Sequence, residues 1–140
     1  IRRQVIRTDW MISAVYADRP NYGWVSFSAL FNLLTIVAFG YTKDVKELRK
    51  TEIFAKWIDE LQDIRARARI LVRIERLSAG NPGDVKPVGE GVSEMRIDYG
   101  PGYRVYYKEQ GRKLIILLVG GDKKSQTKDI KTALSLARNL

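Results

Sequence analysis

From residue 43 onward the apolar positions follow first a helical and then a strand period. Ile53, Phe54, Trp57, Ile58 and Leu61 recur at helical spacing. Thr51 stands where an N-cap belongs, and Glu52 puts an acid in the first turn, where the helix dipole favours it. Asp63 opens a second helix over 64–78, with Ala66, Ile70, Ile74 and Leu77 on one apolar stripe. Arg65, Arg69, Arg73 and Arg76 form a parallel basic stripe, either a solvated face or a surface for nucleic acid or an acidic partner. The short gap between the two helices makes them a hairpin.

The Gly80-Asn81-Pro82-Gly83-Asp84 run ends the second helix, and a loop continues through Lys86, Pro87 and Gly89. The period then becomes two. Met95, Ile97 and Tyr99 alternate with Glu94, Arg96 and Asp98, and Tyr103, Val105 and Tyr107 alternate with Arg104, Tyr106 and Lys108. Gly100-Pro101-Gly102 between them is a turn. A three-residue hairpin loop sets Ile97 opposite Tyr103 and Arg96 opposite Arg104, a register that keeps both apolar sets on one side. Residues 113–119, apolar at every position after Lys113, read as a central buried strand, and 120–125 as a flexible basic turn. Thr127 can cap a last helix with Ile130, Leu134, Ala137 and Leu140 on one face, and Val45 to Thr51 reads as a short edge strand. The expected order is β-α-α-β-β-β-α. This is an α+β fold: a small antiparallel sheet with an N-terminal helical hairpin and a C-terminal helix, the helices on one face. Arg96, Arg104 and Lys108 then lie on the open face, with Lys123 and Lys124 at its rim.

Residues 1–40 differ in texture and are set apart from a domain at 41–140. Thirteen of the eighteen residues over 24–41 are apolar, close to the length of a membrane span, but Ser26, Ser28, Asn32 and Thr35 interrupt the run. The expectation is an N-terminal extension packed on the domain or an overlong gene start, with an anchor-like helix as the rival.

Composition narrows the chemistry. The chain has 140 residues, of which 25 are Lys or Arg and 16 Asp or Glu, for a net charge of +9. That excess favours an anionic partner. With no Cys and no His, thiolate nucleophiles, Ser-His-Asp triads and ordinary zinc sites are excluded. A metal would need a carboxylate cluster, and none stands out, so neither metal nor cofactor is expected. Gly120 to Ser125 lacks the phosphate-loop spacing.

Two arginines directly opposite on a sheet repel, so something anionic should sit by them. Arg96 and Arg104, each a planar fork, can clamp a phosphate, and Lys123 or Lys124 can act in proton transfer. Glu94 shares their face as a base or a salt-bridge partner. RNA brings its own nucleophile, the 2′-OH, so a nuclease without His or metal is chemically reasonable. Lys86, Lys108, Tyr106 and Arg73 are candidate RNA contacts, by charge or by stacking.

The segments FAKWIDELQDIRARARILVRIERL (54–77), GDVKPVGEGVSEMRIDYGPGYRVYY (83–107) and LLVGGDKKSQ (117–126) resemble the RelE/ParE superfamily of bacterial toxins. They are most like the addiction-module killer branch related to HigB. The resemblance covers about residues 48–138. It implies a cytoplasmic toxin of a type II toxin–antitoxin system, an mRNA endoribonuclease acting with the ribosome and held inactive by a helix-turn-helix antitoxin. By the same resemblance Arg96 matches the second basic position of the first hairpin strand, and Arg104 the arginine after the turn. Lys123 or Lys124 matches the basic residue after the last strand. Glu94 stands where another basic residue is usual, and Ile130 where a tyrosine is. ParE-like members share the fold but bind gyrase and cleave no RNA, which leaves that activity, or a silenced toxin, as the alternative.

Overall fold

A computed structural model describes residues 45–140. The expectations for residues 1–40 and for the apolar run at 24–41 lie outside it. Strand β1 (Glu47–Lys50) is followed by helices α1 (Glu52–Glu60) and α2 (Ile64–Ser78). Four strands come next, β2 (Val85–Gly89), β3 (Val92–Ile97), β4 (Tyr103–Gln110) and β5 (Leu114–Asp122), and then α3 (Gln126–Arg138). The sheet order is β1-β5-β4-β3-β2. The α+β class, the helical hairpin and the C-terminal helix are as the sequence implies.

Local chemistry sets the helix starts. Thr51 Oγ1 accepts from Phe54 N and donates to Leu118 O, so the cap of α1 also ties it to the central strand. Asp63 Oδ1 accepts from both Arg65 N and Ala66 N, satisfying two of the free donors at the start of α2. Ser125, not Thr127, occupies the cap position of α3, and its hydroxyl turns elsewhere.

The strands correct three expectations. The segment with Lys86, Pro87 and Gly89 is not a loop but the edge strand β2, antiparallel to β3. An edge tolerates a proline because its missing donor faces outward. β1 pairs with β5 in parallel, so one pair of an otherwise antiparallel sheet departs from the expected pattern. Residues 120–122 are not part of a flexible turn but complete β5, and both glycines there are buried. The β3–β4 register has Ile97 opposite Tyr103 and Arg96 opposite Arg104, as expected, though the connection spans five residues, 98–102.

The helices do not share one face, another departure from the expectation. α1 and α2 cover one side of the sheet, where Phe54, Ile58, Ile70, Ile74, Met95, Val105 and Leu117 form the main core. Trp57 joins it by lying flat on Gly120, where a Cβ would come 1.9 Å from the ring. α3 covers part of the other side, burying Val92, Tyr106, Ile116, Leu118 and Val119 beneath Ala133 and Ala137. A bulge between Tyr106 and Tyr107 leaves Leu118 without a cross-strand partner, so Leu118 and Val119 both face α3. Leu140 follows α3 and is exposed rather than packed.

Candidate functional site

The candidate cluster on the α3 side spans two successive same-face rungs of the sheet. One runs Lys86, Glu94, Tyr106, Val119 across β2 to β5, and the next runs Arg96, Arg104, Gly121. Side chains two apart on a strand share a face, so Glu94 lies next to Arg96.

Glu94 is the centre. It is 1% exposed, rare for a carboxylate, and its partners account for that. Oε1 accepts from Arg96 Nε at 3.1 Å and lies 3.6 Å from Arg104 Nε. Oε2 accepts from Tyr106 OH at 2.9 Å and from Gln126 Nε2, the first residue of α3, at 3.0 Å. Burial by itself pushes this carboxyl up. The hydrogen bonds from Arg96, Tyr106 and Gln126 and the Arg104 charge outweigh it and hold the group below its ordinary value. Glu94 is therefore an ionised anchor and a weak proton acceptor. It is also the anion that the opposed arginines call for.

The two guanidiniums differ. The Arg96 side chain is 39% exposed and spends only Nε on Glu94, leaving the outer nitrogens open. Arg104 is 13% exposed, donates Nη1 to Gly102 O at 3.0 Å, and keeps a buried Nε with no hydrogen bond. Gly102, at φ 78°, brings the turn close: a Cβ there would be 3.5 Å from Arg104 Nη1 and 3.8 Å from Lys123 Cβ. Lys123 thus stands beside Arg104 at the rim. Lys124 is exposed one residue on, its backbone N–H held by Asp122 Oδ1 at 2.8 Å.

Three sequence-derived contacts do not behave as expected. Tyr106 is fully buried, so its ring is not offered to a base, and its hydroxyl serves Glu94 instead. Burial and the Glu94 hydrogen bond push its phenol far above the ordinary value. Lys108 lies on the rung that flanks Glu94's on the side away from the arginines, across from Val92, and reaches Ala137 O near the end of α3 at 3.4 Å. Arg73 lies on the opposite, α2 side and holds the 80–84 loop by donating to Pro82 O at 3.0 Å. Lys86 does join the cluster, exposed on the edge strand directly across from Glu94.

Sequence reading missed Asp129, Ser125 and Gln126. Gly121 has no side chain on the rung next to Arg104, and Asp129 fills that place: a Cβ on Gly121 would be 1.9 Å from Asp129 Oδ2. Ser125 Oγ donates to the same oxygen at 2.5 Å. Burial raises the Asp129 carboxyl, against the Ser125 hydrogen bond, which lowers it. A buried glycine pair closing an apolar strand was the available signal, since glycine there leaves room for another element. Among the described residues no group of three or more Asp or Glu is placed to hold a metal ion. No helix among them is long and apolar enough to cross a membrane.

The arrangement brings together two arginines, a flanking lysine and the half-buried Asp129 carboxylate around the buried Glu94. Chemically, such a patch is suited to an anion, with a proton acceptor next to it. The chain is 51% identical over 94 residues to an uncharacterised protein of Haemophilus influenzae, an alignment covering 67% of this chain and 95% of that protein. Residues 56–140 match the family model described as Phage derived protein Gp49-like (DUF891). The chain therefore belongs to the Gp49-like family of phage-derived proteins, an addiction-module killer, RelE-like toxin family.

Proposed function

We propose that the protein is the toxin of a type II toxin–antitoxin system, that it cleaves mRNA on the ribosome in the manner of the HigB-related branch, and that a cognate helix-turn-helix antitoxin silences it. The observation that carries this reading is the pair of guanidiniums on one rung, braced through Nε by a buried carboxylate, with the outer nitrogens of Arg96 open. A phosphodiester seated on Arg96 and Arg104 receives charge-assisted hydrogen bonds that strengthen as its oxygens gain charge. The 2′-oxygen attacks the adjacent phosphorus and gives up its proton. The bond from phosphorus to the 5′-oxygen breaks, and that oxygen takes a proton as it leaves. The products are a 2′,3′-cyclic phosphate and a free 5′-hydroxyl. Glu94, ionised and fully engaged, orients the arginines. Asp129 is the better acceptor for the 2′ proton, because its carboxyl is raised and stands beside Arg104. Lys123, at the turn next to Arg104, or its neighbour Lys124 supplies positive charge or a proton to the leaving oxygen. Lys86 extends the positive edge along which RNA approaches. The reading places the protein in the cytoplasm.

Glu94 at a position where a basic residue is usual, and Ile130, half-buried on α3 against the sheet, where a tyrosine is usual, favour the second reading, a gyrase-binding toxin without cleavage. Induced expression of the full chain and of an Arg96→Ala/Arg104→Ala variant, with mRNA 5′-end mapping, separates the two. Growth arrest with new mRNA ends in the parent alone supports cleavage. Arrest with intact mRNA and broken DNA supports the gyrase reading, and no arrest points to a silenced toxin.

A further inference from the structure

α2 buries one stripe and leaves the rest of its surface uncovered among the described residues. Ile64 (59% exposed), Ala68 and Val72 (49% exposed) follow one another at four-residue spacing on that surface. Arg65, Arg69 and Arg76 lie exposed along the same face, beside this apolar strip, and form no ion pair among the described residues. Arg69 is held in place by stacking on Tyr99, 4.6 Å from the ring centroid. Between this face and the end of β3 runs an open groove of about 500 Å³, lined by Val72 and Arg76 of α2, by Ile97 of β3, and by Asp84 and Asp98, while the exposed Glu75 is an acid on the α2 face itself.

We infer that this groove is a docking site for a helical segment of a protein partner, acidic along one edge and apolar along the next. Charge complementarity chooses this occupant. Three unpaired arginines along 65–76 call for carboxylates repeated at helical spacing, and the adjoining strip of Ile64, Ala68 and Val72 calls for Leu-like side chains in register with them. A nucleic acid backbone uses the arginines but leaves the apolar strip covered by nothing. The chain's own apolar run at 24–41 contains no Asp or Glu and leaves the arginines unanswered. Arg96 lines this groove as well as the cluster with Glu94, so a segment seated here reaches the edge of the candidate site. The inference holds whether or not that cluster cleaves RNA.

The test uses the full chain and fluorescence anisotropy with three probes: a sixteen-residue helical peptide carrying Glu and Leu at matched three- and four-residue spacing, a scramble of the same composition, and a twelve-nucleotide oligouridine. Val72→Asp and Arg69→Glu/Arg76→Glu are exposed-surface variants, and circular dichroism with thermal melts confirms that they fold. The patterned peptide should bind at least about tenfold tighter than its scramble, and each variant should weaken it by about tenfold or more. Equal binding of peptide and scramble, or variants without effect, overturns the proposal. So does a result in which only oligouridine binds and the arginine variant alone weakens it, because the face is then a nucleic acid surface.

Discussion

Replacing Glu94 with glutamine changes one atom of a buried side chain and removes the charge that separates two arginines. The shape is kept, and the new amide oxygen can still accept from Tyr106 OH or Gln126 Nε2. What is lost is the ionic half of the contacts to Arg96 at 3.1 Å and Arg104 at 3.6 Å. Removing one partner of a buried ion pair costs about 3–5 kcal/mol, and the cost is smaller when the surviving charges can reach water. Arg96 is 39% exposed and Arg104 13%, so we expect about 2–3 kcal/mol. For a domain of this size that lowers Tm by on the order of 10–20 °C. Urea unfolding of Glu94→Gln against the parent measures it directly. The pH dependence supplies an internal check. Glu94 titrates below its ordinary value of 4.5 in the folded chain, so its stabilisation is present above that pH and is lost as pH falls through the folded pKa. The deficit of the variant should therefore be full at pH 7 and shrink below about pH 4.5. A variant as stable as the parent at pH 7, or a deficit unchanged down to pH 3, would refute the assignment of Glu94 as an ionised anchor.

Asp129→Asn should behave with the opposite sign. Its carboxyl is raised above 3.8 in the folded chain, so the parent loses stability as pH rises through the folded value, and the variant should gain on it between pH 3 and 7; a flat difference in the same urea series contradicts this. Gly120→Ala places a methyl group against the Trp57 ring and should cost about 1–3 kcal/mol, with a changed tryptophan emission spectrum. Asp63→Ala removes the acceptor for two α2 donors and should cost about 1 kcal/mol by urea unfolding. Arg138→Ala breaks a pair with Glu90 between exposed side chains, and its midpoint should match the parent's closely.

Much of the scaffold was legible because local rules and global packing agree in it. The caps at Thr51 and Asp63 precede clean 3.6-residue stripes, and both form as read. The opposition of Arg96 and Arg104 followed from two alternating strands and a glycine-rich connection. The side of the sheet taken by α3 was not read correctly, although a clue was present. A strand apolar at every position, as in 114–119, is buried on both faces and therefore needs cover on both. β2 was missed because Pro87 and Gly89 look like loop residues unless the strand is at an edge. The site was legible only in part. Its arginines and lysines are signalled by alternation and turns. The burial of Glu94 and Tyr106 and the arrival of Asp129 over Gly121 depend on α3 crossing that face, a long-range event that no local pattern encodes. Arg73 carried the right charge on the wrong side of the sheet for the cluster, because α2 packs on the side opposite α3.

If the protein cleaves RNA as proposed, the 2′-OH is the nucleophile and the arginine pair its electrophilic support, and a 2′-deoxy substitution separates this from every other route. The purified 140-residue chain is added to initiated ribosomes carrying a short mRNA, made either all-ribo or with a single 2′-deoxy nucleotide at the cleaved position. The all-ribo message should yield a fragment ending in a 2′,3′-cyclic phosphate, the deoxy message none, and the Arg96→Ala/Arg104→Ala variant none from either. Cleavage of the deoxy message, or undiminished cleavage by the double variant, would contradict the proposed mechanism.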